Sequence, residues 1–308
     1  MPVRDAAQIA CVAQAFVCSW RCHPCLDLSE QTFGNGYRKY GSARDFNRKV
    51  DHILKNHSGI GVKAFKFNVP SVYDADSVHL DRLDSWLQIA VKPGIKELRL
   101  ILTADENNFA FYARTNLPSL MPNLEALSIR SYTEMVNTPM VPSKFLPLKS
   151  LSIAVGGLTF DFLSLASFLD ASPSLQTFIL EIFRESKERV SVFEDHSDMR
   201  MMPGHHHSKL KHVKIIKFSA AKSLAELTCH ILESATSLKC LTLDTTHGMP
   251  RCSVNRTGKC SFMLKEAVVE AQKGVLAAQA FIKPKVPPTV EFNVLEPCTW
   301  WHDVGSYF

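Results

Sequence analysis

Two cysteines near the start of the sequence have a spacing that could support redox chemistry. Cys22 and Cys25 enclose His23 and Pro24 in a C-x-x-C motif. Redox activity requires such a motif at the N-terminus of a helix that follows a strand, where the helix dipole lowers the thiol pKa. Here an apolar helical pattern precedes the motif, so we interpret the cysteines as a structural or incidental pair. A thiol oxidoreductase remains the enzymatic alternative.

Metal binding is the second chemistry to consider. A zinc site needs a second ligand pair at suitable spacing, and Cys252 and Cys260 lie eight residues apart, far from the first pair. The histidines at residues 205–207 fall in an insertion, residues 184–208, which we interpret as a mobile surface segment. Three adjacent histidines cannot all face one ion without a shaped loop. We therefore expect no metal and no cofactor, with adventitious metal binding as the alternative.

Motifs for other catalytic chemistries are missing from the sequence. It contains no phosphate-binding loop, no G-x-G-x-x-G, no H-E-x-x-H and no G-x-S-x-G. Scattered His and Asp residues have no spacing that assigns them roles. The sequence therefore predicts a non-catalytic protein.

The amino-acid composition further limits the partners and the cellular compartment that we expect for this protein. Among 308 residues, 35 are Lys or Arg and 30 are Asp or Glu, and this small excess does not indicate a nucleic-acid-binding face. Nine cysteines without a secretory signal predict reduced thiols in the cytoplasm or nucleus. No apolar stretch reaches the roughly 18 residues that a membrane span needs. We expect neither nucleic acid nor a membrane as partner.

A recurrent pattern of apolar, two variable, apolar, one variable and apolar residues organises the chain. Its copies are VKAFKF from Val62, IKELRL from Ile95, LEALSI from Leu124, LKSLSI from Leu148, LQTFIL from Leu175, LKHVKI from Leu210 and LKCLTL from Leu238. Successive copies start 33, 29, 24, 27, 35 and 28 residues apart. Leucine-rich repeats (LRRs) share this core and have periods of about 20–29 residues.

The alternation at the end of each copy predicts a short strand. Such strands bury their apolar faces only by stacking in parallel, which requires connections on the other side, usually helices. Helical spacing is found in residues 43–57, 80–91, 160–169, 224–232 and 261–282, and a closing strand in residues 290–294. We therefore predict an α/β leucine-rich-repeat solenoid, with parallel strands on the concave face and helices on the convex face.

Binding would occur on the concave face, where the variable residues of each strand point. The position of each residue within its repeat is the only basis for choosing the contacts. On this basis, we predict that a partner protein contacts Lys66, Arg99, Arg130, Ile179, His212, Lys214 and Ile216. The same phase places Ala154 and Asp244 in a flanking row. The predicted face has no aromatic row on which single-stranded nucleic acid could stack. This favours a target protein as partner.

The first 28 residues add a resemblance. The residues that carry it are Pro2, Arg4, Asp5, Ala6, Ala7, Val12, Phe16 and Trp20. They resemble the second half of an F-box, and the segment KVPPTVEFNVLEPCTWWHD resembles the closing segment of plant F-box/LRR-repeat proteins. The family's first F-box helix does not precede Pro2, so we expect a truncated F-box in residues 1–28. The LRR solenoid then occupies residues 29–308.

The resemblance implies a function. Proteins of this family are substrate-recognition subunits of Skp–cullin–F-box ubiquitin ligases. In that role Pro2, Arg4, Ala7, Val12, Phe16 and Trp20 would contact a Skp-type adaptor. The solenoid would present a target protein.

Two alternatives stay open. Residues 1–28 would serve equally as an N-terminal helical cap that shields the first repeat. The chain would then be a free LRR binding module, or a non-functional fragment without adaptor binding.

Overall fold

The computed structural model describes residues 24–29, 43–57, 62–69, 85–86, 94–102, 121–131, 144–156, 161–184, 190–195, 197–200, 202, 206–246 and 263–297. The chain divides into two compact units. The first takes residues 1–157 and 171–175, and the second takes residues 158–170 and 176–308. No helix among the described residues is long and apolar enough to cross a membrane.

The first unit is a parallel sheet whose strands follow each other in chain order. Its described strands are β1 (Cys25–Leu28), β2 (Ala64–Val69), β3 (Glu97–Leu102), β4 (Ala126–Ser131) and β5 (Ser150–Gly156). The pairing keeps the repeat in register, because Leu98 faces Leu127 and Leu127 faces Leu151. These leucines are at most 2% exposed. Each strand therefore buries its apolar face against its neighbours, as the repeat predicted.

Helix α1 (Ala43–Asn56) belongs to the first unit. Val50 and Leu54 are buried, one turn apart on the same side of the helix. Trp86 donates from Nε1 to Asp51 Oδ1 at 2.6 Å, and its ring lies 5.4 Å from that of Phe67 in β2. Residues 85–86 are helical. They are the described part of the helix that the sequence predicted over residues 80–91.

The second unit repeats the same construction. Its strands are β6 (Thr177–Arg184), β7 (His212–Ile216), β8 (Cys240–Asp244) and β9 (Glu291–Leu295), again parallel and in chain order. Its helical elements are a 3₁₀ turn (Phe162–Leu165), α2 (Ala166–Asp170), α3 (Lys222–Ser234), α4 (Lys265–Ala277), a π turn (Ala278–Ile282) and a second 3₁₀ turn (Lys283–Lys285). The second unit thus contains the helices predicted over residues 160–169, 224–232 and 261–282, together with the closing strand. The parallel strands in repeat register within each unit confirm the predicted leucine-rich-repeat fold.

Two elements differ from the prediction. Strand β1 was not predicted, and its pairing with β2 puts residues 25–28 in the sheet rather than in the N-terminal segment to which the sequence assigned them. The copy of the repeat that contains β1 has His23 where the other copies have an apolar residue. For this reason the sequence pattern did not predict β1. In the α4 region, the predicted apolar stripe holds for Ala271 and Ala278, but Leu264 is 63% exposed.

The insertion that was expected to be mobile is tied to α3 in its described part. Val192 donates its backbone N–H to Ala220, and Lys222 donates its own to Val190. The Lys222 ammonium, almost fully buried, lies 2.8 Å from an Asp195 oxygen and also contacts Ser197. This ammonium holds the pKa of the Asp195 carboxyl well below its usual range. The described part of the insertion therefore packs against the second unit through these contacts, whereas the expected mobility of the segment stays a prediction.

Arg200 makes the strongest of these attachments. Its Nε and Nη2 donate to Glu226 Oε2 at 2.9 and 2.6 Å, and its backbone N–H donates to Glu226 Oε1. The guanidinium also forms two bonds, of 2.8 and 2.9 Å, to Asp161, which caps the 3₁₀ turn. The Glu226 side chain is completely buried. Because a buried carboxylate without a charge partner is costly, the guanidinium of Arg200 supplies the partner that the buried Glu226 side chain needs.

We predict that Arg200→Ala destabilises the chain because, within the described part of the chain, it leaves the buried Glu226 carboxylate with the backbone N–H of residue 200 as its single donor. The free energy of unfolding should fall by about 2–4 kcal/mol, measured from urea unfolding curves. Glu226→Gln in the same background should recover part of the loss, because the amide carries no charge. Lys285→Ala is the matched control, since it breaks an exposed pair with Glu233 at 3.5 Å worth about 0–1 kcal/mol. Equal losses in the two alanine variants would contradict this account.

Candidate protein-binding face

The repeat register lines up the variable side chains of the first unit in rows. We call the side of each sheet formed by these variable positions, which alternate with the buried apolar ones, its strand face. In the first unit, the middle row of this face consists of Asp27, Lys66, Arg99, Ser128 and Ser152. The flanking rows hold Cys25, Ala64, Glu97, Ala126 and Ser150 on one side, and Asn68, Ile101, Arg130 and Ala154 on the other. The structure thus brings together Lys66, Arg99 and Arg130, as predicted from phase.

Arg99 and Arg130 lie at diagonal positions of neighbouring strands. Arg99 faces Ser128 of β4, and Arg130, two residues after Ser128, faces Ile101 of β3. Lys66 faces Arg99 from β2 and pairs with Asp27 at 3.8 Å. Three cations are therefore grouped on three adjacent strands.

The neighbouring part of this face is made of small side chains. On β4 and β5, the variable positions are Ala126, Ser128, Ser150, Ser152 and Ala154. Ala154 is only 5% exposed, so its predicted place on the open face does not give it an accessible side chain. Small residues beside long basic ones leave a shallow area in which a partner's main chain can approach the strands.

An ionic chain lies just before the strands of the first unit. Glu125, which precedes β4, accepts a hydrogen bond from Lys149 and another from Lys96, both at 2.7 Å. These two ammonium groups lower the pKa of Glu125 from 4.5 to about 2. Since all three side chains are substantially exposed, this chain contributes modestly to stability. It fixes the charge at the amino ends of β3, β4 and β5.

The strand face of the second unit has a different character. Its middle row consists of Ile179, Lys214, Thr242 and Asn293. His212 and Ile216 lie in its flanking rows, beside Lys214 on β7. His212 is exposed, whereas Ile179, Lys214 and Ile216 are half-buried. The four residues predicted here therefore share one face, which mixes apolar and basic groups.

One flanking position of the second unit departs from the expectation. Asp244 is 1% exposed. Its Oδ1 accepts hydrogen bonds of 2.8 Å from both the N–H and the hydroxyl of Thr246. Its role is to end β8 and shape the following turn, so the assignment of Asp244 to the open face was wrong. Phase alone cannot show this, because alternation predicts direction and not local capping.

The remaining predicted residues lie outside the described part of the chain. These are the adaptor-contacting residues Pro2, Arg4, Ala7, Val12, Phe16 and Trp20, together with Cys22 of the C-x-x-C motif. Cys25 of that motif is the first residue of β1. A cysteine at the start of a strand lacks the helix N-terminus that activates redox thiols.

Comparison with known families agrees with the strand arrangement. The model of the At1g61320/AtMIF1 LRR domain matches residues 53–111 and 102–299, which is well over half of the chain. No curated protein matches the sequence. The family match begins after the F-box-like residues and gives them no support. The chain therefore belongs to the At1g61320/AtMIF1 LRR domain family, a plant family of leucine-rich-repeat proteins.

Proposed function

We propose that this chain acts by binding a target protein, and not by catalysis, and that the strand face of the first unit provides the main contact. The observation that carries the proposal is the grouping of Arg99 and Arg130 on adjacent strands next to small side chains. Arginine is the charged residue most enriched at interface hot spots, and its planar guanidinium binds a carboxylate through two parallel hydrogen bonds. An acidic segment of the target fits this surface best.

The distribution of aromatic residues favours a protein over single-stranded nucleic acid. Among the described strands, Phe183 near the end of β6 is the only aromatic side chain at an outward position. Single-stranded nucleic acids are usually held by rows of aromatics in a basic groove. The strand face offers cations and small residues without such a row. A target of this kind would be met in the cytoplasm or nucleus, where reduced cysteines persist.

We predict that Arg99→Glu and Arg130→Glu each weaken capture of the target at least tenfold, because each reverses one charge of the arginine pair on the strand face. The measurement is quantitative affinity capture from cell extract with purified wild-type and variant chains. Proteins that are depleted by both substitutions are the candidate targets. Their affinity is then measured with purified components.

The matched control is Lys265→Glu, an equal change of charge at the exposed first turn of α4. A negative charge there suits the helix dipole and should leave folding intact. If the same proteins are recovered in equal amounts with Arg99→Glu, Arg130→Glu and Lys265→Glu, the strand face of the first unit is not the binding surface.

In a second candidate function, the chain binds a Skp-type adaptor as well as the target protein. It rests on the likeness of residues 2–20 to the second half of an F-box, and on the resemblance of the closing segment to plant F-box/LRR-repeat proteins. In this role the chain is the substrate-recognition subunit of a Skp–cullin–F-box ubiquitin ligase. The target on the strand face would then be delivered for ubiquitin transfer.

We predict that a purified Skp-type adaptor binds this chain if residues 2–20 suffice for docking. Phe16→Ala and Trp20→Ala should then abolish retention in a pull-down, because both would remove apolar contacts with the adaptor. A chain with a first F-box helix joined before Pro2 serves as the positive control. If only that extended chain retains the adaptor, the 308-residue chain acts as a binding module without a ligase connection.

A further inference from the structure

Three side chains that could ligate a metal ion meet inside the second unit. Asp170 is the last residue of α2, His207 lies near the end of the insertion, and His230 is in α3. One ligand atom from each lies within 4.8 Å of the other two. The Nε2 of His207 is 3.4 Å from Oδ1 of Asp170. Residues far apart in the sequence are thus brought to one point.

The burial of these groups distinguishes them from surface histidines. His207 is 4% exposed and His230 is 2% exposed. The Asp170 side chain is 23% exposed, which leaves a short path to solvent. The neighbouring His206 is exposed. Of the two described histidines in the run that looked like a surface feature in the sequence, His206 faces solvent and His207 faces inward.

The position of His207 is fixed by bonds that involve no metal. Its backbone N–H donates to the carbonyl of Ser234 at the end of α3, at 2.9 Å. Two earlier residues of the same insertion are bound to α3: Arg200 to Glu226, and Asp195 to Lys222. The backbone that carries the His207 imidazole is thus attached to the end of α3 before any ion arrives. Preorganised ligands lose little freedom when they bind.

The chemistry of the donors selects the type of ion. Two imidazoles and one carboxylate suit Zn²⁺ and similar divalent transition metals, whereas Ca²⁺ and Mg²⁺ prefer sets of oxygen ligands. With metal–ligand bonds of about 2.0–2.2 Å, two ligands of a tetrahedral zinc ion lie about 3.4 Å apart. The distance between His207 and Asp170 already has this value.

We propose that Asp170, His207 and His230 form a binding site for one divalent transition-metal ion of the zinc type. The ion joins the insertion to α2 and α3, and a water molecule or a further ligand completes its coordination through the opening at Asp170. This assignment goes beyond target binding on the strand face and replaces the expectation of a chain without metal.

The test uses the full chain after removal of metals with a chelator. Competition with a coloured chelator measures the affinity for Zn²⁺. The wild-type chain should bind one equivalent at the site, and Asp170→Asn and His230→Gln should each weaken it more than tenfold. These near-isosteric changes keep hydrogen-bonding capacity, and circular dichroism checks that each variant is folded. His206→Gln, which alters the exposed neighbour of His207, should leave the affinity unchanged.

Two further readouts separate the site from the cysteines and from non-specific binding. X-ray absorption at the zinc edge should show nitrogen and oxygen neighbours only. Zinc should also raise the unfolding midpoint of the wild-type chain and leave that of Asp170→Asn unchanged, because binding to the folded state stabilises it. The proposal is overturned if sulfur ligands appear, if Asp170→Asn and His230→Gln bind zinc as the wild type does, or if His206→Gln loses as much affinity as they do.

Discussion

A short strand with apolar residues at alternate positions cannot bury them alone, and every other feature of this chain depends on how that constraint is met. Parallel stacking in one register places Leu98, Leu127 and Leu151 side by side in the first unit, and Phe178, Val213 and Leu241 in the second. A slip of one residue would turn all of these apolar side chains outward. The register therefore fixes the core and the strand face together.

The strand face is a consequence of that register and needs no further design of the backbone. Once the leucines are aligned, the variable residues between them form rows by necessity. Their chemistry is then set residue by residue, which is why the first unit can display arginines beside small side chains while the second displays isoleucines and a histidine. The fold supplies the spacing, and the sequence at the variable positions supplies the specificity.

The repeat was readable in the sequence because it follows a simple physical period. Seven copies of the pattern predicted strands β2 to β8, and the position within each copy placed Lys66, Arg99, Ile179 and Lys214 on the open faces. Strand β1 was missed because His23 breaks the pattern, although its pairing with β2 restores the register. Local periodicity identifies a strand only where each apolar position is occupied.

Features built from tertiary contacts were beyond the reach of this reasoning. The insertion looks polar and unstructured as a sequence, and only the folded chain shows Arg200 against Glu226 and Lys222 against Asp195. The meeting of Asp170, His207 and His230 likewise joins three segments with no common spacing. For Asp244 the repeat pattern gave the wrong answer. Its position in the repeat predicts an outward side chain, whereas its carboxylate is buried and accepts a hydrogen bond from Thr246 in the following turn.

The measurement that tests the central claim most directly is amide hydrogen exchange along the strands, followed by nuclear magnetic resonance. If the strands form parallel sheets in the register described, the backbone N–H groups of residues 98–100, 127–129 and 151–153 should exchange only when the unit unfolds as a whole. The same is expected for residues 213–215 and 241–243. Exchange of these amides at the rates of an unfolded peptide, in a chain that is otherwise folded, would contradict the arrangement and the strand face derived from it.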